Sequence, residues 1–151
     1  QGGQAAFAAI GEIVAMLQAD ATTDWSKVNL ERLRLHLVDM DLVTLRSHVE
    51  ATPVAGGAQF VVRGTGETIT AIKRMTGAHA TMVMNSGGSR VVRTELADGV
   101  RLIVTAATPS DSAAVAKLRG LGFIGLMVSG DHHGAHHMAI ARGEAMPGHG
   151  H

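Results

Sequence analysis

The chain has 151 residues, of which 46% are hydrophobic and 17% charged, a balance that supports one folded domain with a real core and excludes a disordered chain. Its 13 basic and 13 acidic side chains cancel and only 3% of residues are aromatic, so the basic field and base-stacking platform of a nucleic-acid binder are both missing. There is no cysteine, which excludes disulfides, thiolate zinc sites, iron–sulfur clusters and a thiol nucleophile.

Residues 4–19 predict a first helix, with Phe7, Ile10, Val14 and Leu17 on one stripe. Asn29 is an N-cap candidate for a second helix, expected from about Leu30 to Val49. Leu33, Leu37, Met40 and Thr44 line its inner face, with His36 at the edge of that face. His48 falls beyond the stripe and reads as a surface residue. Pro53 and Gly56-Gly57 read as the end of the segment.

Residues 58–64 predict a strand. A third helix is expected from about Gly66 to Met84, with Ile69, Ile72, Met75, Thr76, His79, Met82 and Val83 on one stripe. Two strands follow, Arg90–Leu96 and Val100–Ala106, joined by an Asp-Gly turn. A fourth helix covers about 111–129, capped by Ser110 or Asp111. Its interior glycines, Gly120, Gly122 and Gly125, each weaken a helix by about 1 kcal/mol relative to alanine. They predict a close backbone approach, to another helix or to a second copy of the chain. Gly130 would stop this helix and Asp131 would cap a last, His-rich one.

The expected fold is α+β: a small three-stranded sheet (strand, helix, β-hairpin) with about five helices packed on it. No internal repeat is evident. Residues 1–146 form the expected domain and 147–151 a flexible His-containing tail. No apolar stretch is long enough to span a membrane.

The most informative segment is His132, His133, His136 and His137. At about 100° per residue, all four imidazoles share one helical face. Two interleaved i,i+4 pairs place side chains within reach of each other, and neutral imidazole is the commonest protein metal ligand. Two more helices carry His and Met together: His36 with Met40, and His79 with Met75 and Met82. Metal sites among helices are assembled from facing side chains. The candidate ligand set is therefore His36, Met40, Met75, His79, Met82, His132, His133, His136 and His137. A lone His79 on an apolar stripe is equally at home as a core residue. Thioether favours Cu(I), and imidazole suits copper, zinc, iron or nickel. Copper is the expected ion, with zinc or haem as alternatives. The carboxylates form no cage for calcium or magnesium.

Enzyme signatures are lacking. The His-Glu-x-x-His zinc-protease pattern, the phosphate loop and the Gly-x-Ser-x-Gly elbow are all absent. Covalent haem attachment is excluded with the cysteines, and few aromatics are present to line a porphyrin pocket.

Two stretches carry a resemblance. One is His132-His133-Gly-Ala-His136-His137-Met-Ala-Ile-Ala141-Arg142-Gly143; the other is Leu118-Arg119-Gly-Leu121-Gly122-Phe123-Ile124-Gly125. With His36-Leu-Val-Asp-Met40, they resemble a set of uncharacterised bacterial exported proteins. A looser likeness is to exported ferritin-like His-His-Met proteins, whose order of motifs differs. The resemblance implies an exported, metal-associated protein. The first residue, Gln1 in place of Met, fits removal of an export signal.

The expectation is a periplasmic or otherwise exported copper-binding protein that binds, buffers or transfers copper. Two other readings use the same histidines: a metal- or haem-dependent redox enzyme, and a pH-sensitive homodimeric interaction module.

Overall fold

The computed structural model describes residues 2–77, 88–129 and 133–144. Chain order is α1 (Gly2–Ala19), α2 (Leu30–Arg46), β1 (His48–Val54), β2 (Gly57–Arg63), α3 (Glu67–Met75), β3 (Arg90–Leu96), β4 (Gly99–Thr105), α4 (Ser112–Val128) and α5 (His133–Ala141). The class is α+β, but the sheet has four strands, not the expected three, in the antiparallel order β1-β2-β4-β3.

The extra strand is β1, where the second helix was expected to trail off. α2 stops at Arg46, and Ser47 turns to extended backbone. Pro53, which has no N–H, is accommodated in the strand because β1 is an edge and this position faces away from β2. Ala55 and Gly56 are a two-residue turn, and Gly56 takes the positive φ of 74°. The β1 sequence does alternate, with Val49, Ala51 and Pro53 on one face and His48, Glu50 and Thr52 on the other, but Pro53 and Gly56-Gly57 read as breakers and the strand is almost wholly exposed.

The sheet is built from two copies of one plan. β1, a two-residue turn, β2 and α3 are matched by β3, a two-residue turn, β4 and α4. Gly57 and Gly99 open the equivalent strands β2 and β4. The central ladder β2–β4 joins the halves. All its buried side chains point to one face: Ala58, Phe60, Val62, Val100, Leu102 and Val104. Val43 of α2, Ala71 and Ile72 of α3, and Val115, Leu118, Phe123 and Leu126 of α4 complete this core. Arg119 ties α4 to the β1–β2 turn by donating to the carbonyls of Val54 and Gly57, both at 2.8 Å.

A second core lies beyond α2. Ile13 and Leu17 of α1, Leu33 and Leu37 of α2, and Met138, Ile140 and Ala141 of α5 form it. α2 thus serves both cores, its first half packing on α1 and α5 and its second half on α3 at the sheet-side core. That division moves two expected core positions outward. Phe7 is 82% exposed, because Ile10, Ile13 and Leu17 carry the buried stripe of α1. Thr44 is exposed, and Val43 is buried in its place.

Two other expectations are corrected. α3 ends at Met75 rather than near Met84: Thr76 caps it, and its hydroxyl donates to the Ile72 carbonyl at 2.6 Å. Among the described residues, the glycines of α4 make no close approach to another helix. A β-carbon on Gly120 or Gly122 would meet nothing within 4 Å, and one on Gly125 would meet only Leu121 of the same helix. Gly122 instead kinks α4, with φ 66° and ψ −173°. No described helix is long and apolar enough to cross a membrane.

Candidate metal centre

The site starts with the two ends that fix α2 and α5 against each other. Asn29 caps α2 by accepting from the Arg32 N–H at 3.0 Å. The Asn29 N–H in turn donates to the Ala141 carbonyl at 2.7 Å, so the start of α2 and the end of α5 share one residue.

The last turn of α5 is closed by a Schellman motif. Glu144 N–H donates to Ala139 O at 3.0 Å and Gly143 N–H to Ile140 O at 3.1 Å. Gly143 sits at the left-handed position, φ 73°. A β-carbon there would also lie 2.5 Å from the Lys27 carbonyl. Gly143→Ala is therefore expected to cost about 2 kcal/mol, combining backbone strain with displacement of the α1–α2 loop. Chemical denaturation checks it, and an unchanged midpoint would contradict the tight seat described here.

Arg142 pairs with Asp20 at 3.1 Å, and Arg32 reaches the Glu144 carbonyl at 3.4 Å. The Thr22 hydroxyl and N–H both donate to Asp20 and, with Arg142 beside it, hold its carboxyl below the ordinary value. Asp20 thus stays ionised as an anchor for the end of α5.

Clamped this way, α5 buries Met138, Ile140 and Ala141 and turns His137, half-buried, toward α2. There it meets the half-buried His36. The two ring centroids are 5.5 Å apart and the planes cross at 70°. Met40, one turn after His36, packs at the margin of the same core. His133 and His136 belong to the backbone of α5, His133 one turn before His137. Their side chains lie outside what is described.

The remaining candidates fall elsewhere. Met75 is half-buried against the sheet-side core, apart from Met40. His79, Met82 and His132 lie outside the described residues. His48 is an exposed surface residue beside Glu50, as expected. Asp39, which flanks Met40, is committed to Arg74 through two hydrogen bonds of 2.9 Å. Among the described residues, no group of three or more His, Cys, Asp or Glu is placed to hold a metal ion.

The His36–His137 pair has the spacing and crossing of an edge-to-face ring contact. Imidazole nitrogen ligates at about 2.0–2.1 Å, which puts two rings on one ion with centroids about 5–6.5 Å apart. The observed separation falls in that range. The sequence names both residues among the candidate ligands but not their contact.

No family model, curated protein or solved structure matches this chain.

Proposed function

We propose that the chain is an exported copper-binding protein that takes up copper between α2 and α5 to buffer or pass it on. His36 and His137 would be the principal ligands, with the thioether of Met40, one turn after His36 at the margin of the same core, as a soft donor. The observation that carries the reading is the 5.5 Å approach of two imidazoles from helices far apart in sequence. Chemistry supports copper over harder ions. The donors are nitrogen and thioether sulfur, the neighbouring carboxylate Asp39 is taken by Arg74, and Cu(I) accepts few ligands. A chain without cysteine that binds through His and Met suits an oxidising compartment.

The test is an anaerobic Cu(I) titration against a competing chelator, using protein purified without a metal-affinity step. Wild type is expected to bind stoichiometrically. His36→Ala and His137→Ala should each weaken binding about a hundredfold, or about 2.7 kcal/mol, while the exposed His48→Ala changes nothing. Equal affinity in wild type and His36→Ala would overturn the assignment.

A further inference from the structure

The two outer strands of the sheet are not equivalent as edges, and the difference points to a partner. In a two-residue hairpin the residues flanking the turn form a hydrogen-bonded pair, and such pairs then alternate along the ladder. Val54–Gly57 and Leu96–Gly99 are the flanking pairs. Val49, Ala51 and Pro53 of β1 therefore direct their backbone groups outward, and so do Val91, Arg93 and Glu95 of β3. The central ladder agrees with this alternation, since Gly64 N–H donates to Asp98 O at 3.0 Å and Ala106 N–H to Gly56 O at 2.9 Å.

Pro53 removes one outward donor from β1. Proteins commonly blunt an edge strand in this way. The matching position in β3 is Glu95, so β3 keeps an unbroken outward row. Val92 in the middle of β3 is 51% exposed.

We propose that β3 pairs with β3 of a second copy of this chain, making one continuous eight-stranded antiparallel sheet. Charge selects the register. Centring the two-fold axis on Arg93 would set Arg93 against its own copy, a like-charge pair. Centring it on Thr94 sets Arg93 against Glu95 of the second copy, twice, with both residues outward-facing as pairing demands. The same register sets the exposed Val92 against Leu96 of the second copy on the open face of the sheet. Glu95 is 60% exposed and is held to Arg93 of its own strand only at 3.5 Å, so it is available for exchange. An edge contact of this size buries little area, and the dimer is expected to be weak and concentration-dependent.

Sedimentation equilibrium of the full chain in EDTA tests the proposal and removes any metal-bridged association. Wild type should dimerise in the micromolar range. Arg93→Glu alone and Glu95→Arg alone should each weaken the dimer about tenfold or more, and the double swap should restore it. Glu95→Pro gives β3 the residue that β1 already carries, and should yield a folded monomer. A wild type that stays monomeric, a double swap that fails to rescue, or a folded Glu95→Pro that dimerises normally would each overturn the pairing.

Discussion

Gly57→Ala and Gly99→Ala are each expected to destabilise the fold by about 4 kcal/mol, among the largest effects of any single alanine in this chain. The reason is steric and cannot be relieved by a side-chain rotation. A β-carbon on Gly57 would lie 1.8 Å from the Val104 carbonyl oxygen and 2.9 Å from the Thr105 α-carbon. One on Gly99 would lie 1.8 Å from the Val62 carbonyl oxygen and 3.0 Å from the Arg63 α-carbon. All of these atoms are backbone of the facing strand, so β2 and β4 would have to separate. That ladder is the seam between the two hairpins, and it carries Phe60, Val62, Leu102 and Val104 into the core. In a domain of this size the melting temperature should fall by about 8–16 °C. Gly120→Ala is the control. It removes a helical glycine where a β-carbon meets nothing within 4 Å, and should stabilise by about 0.5–1 kcal/mol. Thermal melts of the three variants decide the matter. Equal effects at Gly57 and Gly120 would mean that the central strands do not approach as described.

The same glycines show where the sequence is legible and where it is not. The second hairpin is readable because Ala97, Asp98 and Gly99 interrupt two β-branched runs. Yet the turn itself is Ala97-Asp98, and Gly99 is already strand, present for its approach to β2 and not for a turn conformation. The first hairpin follows the same plan but is hidden. Pro53 and the Gly56-Gly57 pair read as breakers, and they mask the short alternation of Val49, Ala51 and Pro53 with Glu50 and Thr52. The repeat is partly written in the side chains, since Val49, Thr52, Ala55, Gly57 and Val62 match Val91, Thr94, Ala97, Gly99 and Val104, but Pro53 and Gly56 interrupt the first copy where Glu95 and Asp98 stand in the second. At the candidate site, residue type and helical spacing pick out His36, Met40 and His137 as ligand-competent. They do not say which pairs meet. That is decided by the local Schellman end at Gly143 together with two long-range contacts, the Asn29–Ala141 hydrogen bond and the Arg142–Asp20 pair.

Copper is expected to raise the melting temperature of the wild-type chain by about 5–11 °C at a free concentration a hundred times its dissociation constant. A ligand that binds only the native state at that excess stabilises it by about 2.7 kcal/mol, and each kcal/mol moves the midpoint of a domain this size by about 2–4 °C. The native state is required because His36 and His137 are brought together only when α5 docks on α2. His36→Ala removes one ring from a half-buried position, so its copper-free melting temperature should stay close to wild type while most of the copper-induced rise disappears. Gly143→Ala acts differently. It leaves every imidazole in place but unseats the end of α5, so it should lower the copper-free melting temperature and weaken copper binding together. Imidazole ligates only in its neutral form, so acidification should remove the copper-induced rise in wild type. The comparison separates an organised site from loose capture by the other histidines. If His36→Ala keeps the full rise, copper is held elsewhere on the chain and the α2–α5 junction is only a packing contact.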